Sequence, residues 1–345
     1  MAPTRTPART LFLLLALTAT FFLAGCSRSA TPASAPGGPP ALTKVILQTD
    51  WYAEPEHGGF YQALIKGYYR EAGLEVEIAQ GGPSTRPQQM VATGKADFAI
   101  GRSDDVMVYA SRGIPLVMVG ALMQRDPQAL MFHQESGIHA FKDLDGRNIM
   151  AVPGSNFIPI IERIFNIKLS ITPSDFGMSR FLADKNFVQQ CFITNEPFYV
   201  RKQGANVGTL LLSDSGFSPY RVWYTRRRVI EEHPGVVRAF TAASIRGWQE
   251  YIGGDHAATN ARLAALNPKM EPGFMDYSLQ VMRESKLVAG DPAAGESVGQ
   301  IRRERIAEQI KQLAGIGQLE HPVTVDEVFD GSFLPASAQP AAPAK

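Results

Sequence analysis

Cysteine is scarce in this chain. Its two cysteines in 345 residues, Cys26 and Cys191, allow neither an internal disulfide framework nor a cysteine-based metal site in the folded part. Charge of either sign is never in excess, because 34 Lys and Arg balance 33 Asp and Glu to a net charge of +1. With those signs interspersed and no motif for base readout, the composition argues against a nucleic-acid partner. Six histidines, at 57, 133, 139, 233, 256 and 321, show no metal-ligand spacing. There is no HExxH pair, no phosphate loop and no GxGxxG turn after a strand. The hydroxyls in GRSDD and GPSTR have no evident base beside them. No catalytic residue, metal or cofactor is therefore expected.

What is present begins at the N-terminus. Arg5 and Arg9 precede an apolar run from Leu11 to about Ala24, too short and wrongly flanked for a comfortable membrane span. The run ends in Leu23-Ala24-Gly25-Cys26, which resembles a bacterial lipobox and marks Cys26 for acylation. Residues 1–26 are read as a lipoprotein signal peptide and the Ser/Pro/Gly-rich residues 27–42 as a flexible tether. That places the protein in the cell envelope, held to a membrane only through its lipid.

From Lys44 onward short apolar strands alternate with capped helices, which argues for α/β architecture with mainly parallel sheets. The length exceeds one compact core, so two α/β lobes are expected. The first lobe takes 43–128 plus 222–335 and the second 129–221, with 336–345 a disordered tail. Residues 58–73 read as one helix stopped by Gly73. Lobes of this kind bind ligands outside the carboxyl ends of strands, in a cleft that closes by hinge motion.

The cleft loops supply the candidate site. Trp51 offers a flat apolar face beside Glu54 and His57 in the stretch DWYAEPEHGG. Helix starts at Ser84-Thr85, Ser103-Asp104 and Ser155-Asn156 hold N–H groups that can meet a polar ligand edge or simply be capped by their own side chains. Phe157 and Tyr220 add aromatic surface, and Phe157 fits a core position as readily as a cleft one. Asn195 and Glu196, in Thr194–Pro197, follow an apolar strand and enter a helix. Glu196 there can accept from ring N–H or amino groups and also stabilise the helix dipole. Cys191 reads as a small buried hydrophobe.

Together with DWYAEPEHGGFYQALIKGYYREAGLEVEI, GKADFAIG, FKDLDGRNIMAV and TNEP, the lipobox gives the chain a family likeness over roughly residues 44–320. It resembles substrate-binding proteins of ABC transporters in the sulfonate/nitrate/thiamine-pyrimidine superfamily. Within that superfamily it is most similar to the thiamine-precursor binding branch, which also contains the fungal hydroxymethylpyrimidine synthase. The pattern D-W…H-x-G-x-Y is met by Asp50, Trp51, His57, Gly59 and Tyr61. The resemblance implies a type II periplasmic-binding-protein fold, a monomer, and a pyrimidine-like ligand delivered to a permease and its ATPase. It further implies that Trp51 walls the ligand, His57 lines the entrance and Glu196 binds the amino-pyrimidine edge. Sulfonate, nitrate or another vitamin precursor such as riboflavin are alternative ligands. A pyrimidine biosynthetic enzyme and an envelope sensor are alternative functions.

Two departures matter. Glu54 stands where the family usually has Asn, and a carboxylate there favours a donor-rich or cationic group over an anion. The segment IGRSDDVMVYA lacks the Lys and His that the synthase needs.

Overall fold

The computed structural model describes residues 41–338. The signal segment with Cys26, the tether through residue 40 and the tail from residue 339 lie outside the described residues. Among the described residues ten strands form two five-stranded sheets. Those of the first sheet are β1 (Thr43–Gln48), β2 (Leu74–Ala79), β3 (Phe98–Arg102) and β4 (Leu116–Met123). The second contains β5 (Gln128–His133), β6 (Asn148–Ala151), β7 (Ser170–Pro173), β8 (Val188–Phe192) and β9 (Val207–Leu211). The last strand, β10 (Arg221–Arg226), returns to the first sheet, giving the orders β2-β1-β3-β10-β4 and β7-β6-β8-β5-β9.

The apolar runs explain the layering. FAIGR, LVMVGALM and QALMFH are buried along their whole length, as strands covered on both faces must be. LEVEIA alternates buried with exposed positions, as suits an edge strand.

The sheets are mixed rather than mainly parallel. In each, two neighbouring pairs are parallel and two antiparallel, because β10 lies antiparallel to β3 and β4, and β5 to β8 and β9. Both exceptional strands adjoin the places where the chain crosses between sheets. A crossing strand enters from the far side and so arrives reversed. Local periodicity along the chain contains no signal for that.

The helical reading of 58–73 also needs correction. The helix Gly58–Ile65 stops and a second, Tyr68–Glu71, follows, with Gly67 between them at φ +79°. Only glycine takes that left-handed turn cheaply, so it ends one helix and redirects the next. At the other end of the chain, a 3-10 turn over Ala336–Ala338 carries a buried Ala338, so the folded part runs three residues past the point where a disordered tail was expected.

Packing against the first sheet is aromatic. Phe98 and Phe240 stack at 4.0 Å, Tyr69 lies on Phe240 at 5.4 Å, and Phe60 meets Trp223 and Trp248 edge-on. The helix Pro234–Gly253 carries Phe240 and Trp248 and lies across Gly58–Ile65. A Cβ on Gly59 would sit 2.1 Å from the Trp248 ring, so glycine here sets how closely the two helices approach. This contact carries the 54–57 loop, which feeds directly into the Gly59 helix.

Gly59→Ala should therefore destabilise the fold by about 1–3 kcal/mol, the usual cost of overpacking a dense interface. Urea denaturation of the purified protein checks this: the midpoint should fall with an unchanged slope.

Candidate functional site

The cleft between the two sheets holds a cavity of about 270 Å³. It is built where strand ends from both sheets meet. The loop after β1 forms one wall and is tightly held. Gly81 N–H donates to the Trp51 carbonyl at 2.9 Å, the Ala53 N–H donates to Gln80 Oε1 at 2.9 Å, and Pro55–His57 make one 3-10 turn. Trp51, Glu54 and Glu56 line the cavity from this loop.

Two arginines lie at its base. Arg102 ends β3 and Arg221 begins β10, and the register sets them directly opposite each other. Like charges in that arrangement repel, and acids from two loops and one helix start offset the repulsion. Asp50 accepts from Arg221 Nη2 at 2.6 Å, Asp104 from Arg102 Nε at 3.1 Å, and Asp126, in the crossing segment, lies 3.7 Å from Arg102 Nε. Burial alone would raise the Asp50 pKa, but the Arg221 charge and the His57 hydrogen bond hold it far below the usual carboxylate range. Burial likewise works against the Arg221 charge, and the Asp50, Asp126 and Glu56 carboxylates overcome it.

The remaining carboxyls go the other way. Burial pushes Glu56 up to about 7 against the opposing pull of Arg221 and the Thr194 hydrogen bond. Burial and the Asp104 charge take Asp105 to about 7. Glu54 is raised well above its ordinary value by burial and then by Glu56, Asp50 and Glu196. Burial also raises Glu196, against a hydrogen bond from the Phe192 N–H. Glu54, Glu56 and Asp105 therefore keep a proton into the neutral range and can donate hydrogen bonds in that form.

Contacts from the second sheet close the cavity. Asn195 Nδ2 donates to Glu54 at 2.8 Å, the Thr194 hydroxyl to Glu56, and Asn156 Nδ2 to Asp104 at 2.9 Å. Phe176, in the loop after β7, brings its ring to 5.4 Å from that of Trp51. This phenylalanine has φ +57° and remains 52% exposed. A bulky residue seldom adopts that conformation, and such strain concentrates at ligand clamps.

Of the residues singled out from the sequence, Trp51, Glu54, Asp104, Ser155, Asn156, Asn195 and Glu196 line the cavity together. His57 lies behind the wall, fully buried, with Nε2 3.3 Å from Asp50. Ser103 is taken up in packing: its hydroxyl donates to Gln309 at 2.6 Å and accepts from the Tyr220 N–H. Tyr220 is buried under the Arg305 guanidinium at 3.8 Å, and Phe157 is in the core. Ser84 and Thr85 precede a helix that begins only at Pro87, and Pro87 and Gln88 line the cavity in their place.

Sequence reasoning missed Arg102, Arg221, Asp105, Gln128, Gln189 and Phe176. The strand-end rule could have found Arg102, the last residue of an apolar strand, whereas Arg221 begins its strand and reaches the same end only because β10 runs antiparallel. Gly295-Glu296-Ser297-Val298-Gly299 spells G-x-S-x-G, yet it follows a 3-10 turn rather than a strand and lies outside the cavity lining, so it is no nucleophile elbow. No group of three or more His, Cys, Asp or Glu among the described residues is arranged to hold a metal ion.

A family model described as NMT1/THI5 like matches residues 54–256. The chain belongs to this family. The riboflavin-binding protein RibY of Chloroflexus aurantiacus is 26% identical over 324 residues, 89% of this chain and 91% of the relative. A formylaminopyrimidine-binding protein of Halalkalibacterium halodurans is 25% identical over 334 residues, 92% and 96% of the two chains. The 4-amino-5-hydroxymethyl-2-methylpyrimidine phosphate synthase of Schizosaccharomyces pombe, 27% identical, matches only 41% of this chain and 40% of its own. Among solved structures, the periplasmic sulfonate-binding protein SsuA of Methylobacillus flagellatus, named as part of a sulfonate ABC transporter, superposes with a TM-score of 0.61. It is 12% identical and the match covers 86% of this chain and 94% of that one. The fold is the two-lobed α/β periplasmic-binding-protein fold, type II.

The raised acids have a consequence for stability. Between about pH 4.5 and 7 the unfolded chain ionises carboxyls that the folded cavity keeps protonated at Glu56 and Asp105. Stability should therefore fall as pH rises through that window, by a few kcal/mol in total. Asp50 acts in the opposite sense, but only below its unfolded value of 3.8. Thermal melts of the unliganded protein at pH 5, 6, 7 and 8 should show the decline. Glu56→Gln, which keeps an acceptor for Thr194, should flatten it and raise the melting temperature at pH 8.

Proposed function

We propose that this chain is the solute-binding component of an ABC importer, working on the outer face of the cytoplasmic membrane. It captures a small planar nitrogen heterocycle, foremost a thiamine-pyrimidine precursor, and hands it to a permease driven by an ATPase. The observation that carries the reading is the cavity at facing strand ends, with aromatic rings from both lobes at its mouth and polar groups within. Flat rings supply contact area to a planar ligand, and the directed polar groups fix its orientation. The names of the two relatives aligned over most of both chains, a formylaminopyrimidine-binding and a riboflavin-binding protein, support that ligand class. Volume favours the smaller of the two. About 270 Å³ suits a single substituted ring better than a three-ring flavin with its sugar-alcohol tail.

Closure by lobe rotation would follow from the bridging contacts. Glu54, Glu56 and Asp104 accept from Asn195, Thr194 and Asn156 across the cleft, and opening would break these bonds together with the Tyr277–Ile193 hydrogen bond and the Lys202–Glu271 pair beside them. A binding role rather than catalysis is supported by residues 100–110, which contain neither Lys nor His to hold or supply an aldehyde cofactor's chemistry. Acylation of Cys26 would keep the protein beside its permease. Among the described residues no helix is long and apolar enough to cross a membrane.

Adding 4-amino-5-hydroxymethyl-2-methylpyrimidine or a formylaminopyrimidine should raise the melting temperature of the purified protein, while taurine and nitrate should not. A shift with taurine alone would reverse the ligand class. Trp51→Ala and Phe176→Ala should each weaken the pyrimidine by about tenfold, the scale of one lost aromatic face, without changing the unliganded melt by more than a few degrees. Equilibrium titration by intrinsic fluorescence or calorimetry measures both. In a bacterial host, Cys26→Ser should abolish palmitate labelling and release the protein from the membrane fraction.

A further inference from the structure

Three glutamates of the cavity meet around one turn. The segment from Phe192 to Glu196 approaches the Glu54–Glu56 turn from the opposite lobe, and each glutamate is gripped by one donor of that segment. Asn195 Nδ2 holds one oxygen of Glu54, the Thr194 hydroxyl one of Glu56, and the Phe192 N–H one of Glu196. A donor on one oxygen leaves the other for the cavity that all three line. The nearest cation, Arg221, is already engaged by Asp50 at 2.6 Å. Arg102 is engaged by Asp104 and Asp126. Six carboxyl groups thus line a cavity that offers two guanidinium groups, both spoken for.

An independent observation points to a donor-bearing ligand. Gln189, on the second-lobe wall, is 3% exposed and donates its amide N–H to the Gly177 carbonyl at 2.9 Å. That bond orients the side chain and leaves its carbonyl oxygen buried without a partner. Gln128, 4% exposed and also lining the cavity, has an unpartnered carbonyl oxygen too. A buried acceptor without a donor costs free energy until something supplies one. Two donors are unpartnered as well, Arg102 Nη2 and Arg221 Nε, but they lie together at the base, where one ring nitrogen or carbonyl would satisfy both.

We propose that Glu54, Glu56 and Glu196 form a single acid seat for a positively charged amine or amidinium group of the bound heterocycle, so that the cavity prefers cationic members of that class, accepts neutral ones less well and rejects phosphorylated or sulfonated ones. The proposal rests on reading the cavity as a heterocycle site and adds the charge class of the ligand. Glu54 is its distinguishing residue, because an amide at this place would give the seat one carboxyl fewer. The groups facing the seat are Asp50, His57 and Arg221 from the first lobe's loops and β10, with Asp104, Asp105, Arg102 and Asp126 further across the base. Empty, the seat favours the protonated form at Glu54 and Glu56, because burial and the neighbouring negative charges raise both, and burial raises Glu196 as well. A cation entering it replaces those protons, which leave to solvent as the carboxyls ionise. Affinity for a cation should then rise with pH up to about 7, and binding should release protons.

Calorimetry with three probes tests this. They are 4-amino-2-methylpyrimidines bearing aminomethyl, hydroxymethyl or phosphate-ester groups at ring position 5, titrated at pH 5.5 and 7.5 in two buffers of different ionisation enthalpy. The aminomethyl compound should bind about tenfold or more tightly than the hydroxymethyl one at pH 7.5, and the phosphate ester should not bind measurably. Only the aminomethyl compound should release protons, and its affinity should rise about tenfold between the two pH values. Glu54→Gln and Glu56→Gln should each erase the preference for the amine over the alcohol, read as the ratio of the two affinities in the same variant. Equal binding of the amine and alcohol, absence of proton release, or an amine preference that survives both substitutions would overturn the acid seat alone. If none of the three pyrimidines bound while taurine did, the heterocycle reading would fall, and the seat with it.

Discussion

The cleft depends on keeping two buried guanidinium groups neutralised. Arg102 and Arg221 face each other across neighbouring strands at the base, and neither could stay there without Asp50, Asp104 and Asp126. Removing one partner from a buried pair leaves a charge the surroundings cannot solvate, a far larger penalty than the pair's net gain. Much of the architecture follows. The loop after β1 must bring Asp50 to Arg221, which directs Trp51, Glu54 and Glu56 into the cavity. The helix after β3 must present Asp104 to Arg102 with its first turn, and Asp104 then meets Asn156 of the other lobe. The crossing segment must deliver Asp126, so the hinge itself is part of the charge network.

The acids of this network divide into two populations. Asp50 is locked as an anion by its partners, while Glu54, Glu56, Asp105 and Glu196 are shifted toward the protonated form because burial outweighs the help they receive. The first kind is structural and constant. The second changes state when a ligand or a shift of lobes alters its surroundings, and three of its members also touch donors across the cleft or along the 192–196 turn. Ligand charge, protonation and closure are therefore linked through the same atoms.

What could be read from residue order was whatever local chemistry determines. Strands such as LVMVGALM announced themselves by unbroken apolar runs, and the loops at their ends held Trp51, Glu54 and Glu196 where the α/β rule places ligand contacts. The failures share a cause in partners distant along the chain. Arg221 finds Asp50 across 171 positions, and Ser103 spends its hydroxyl on Gln309 across 206, so neither the site role of the arginine nor the packing role of the serine was visible locally. Phe176 belongs to a loop with no apolar pattern, and only the lobe geometry brings it to Trp51. The antiparallel β5 and β10 were hidden in the same way, since strand direction depends on where the chain has come from.

The placement of β10 has a consequence for how the protein comes to be. Strand β10 separates β3 from β4 in the first sheet, but the entire second sheet, from Gln128 to Leu211, precedes it in the chain. During synthesis or export the second sheet has all its strands before the first can be completed. Until Arg221–Arg226 arrives, β3 and β4 each keep a bare, mostly apolar edge, the kind of surface through which chains pair with the wrong partner. The strand that carries the cavity's central arginine is thus also the last one the first sheet needs, and the base of the binding site and the completed sheet appear together.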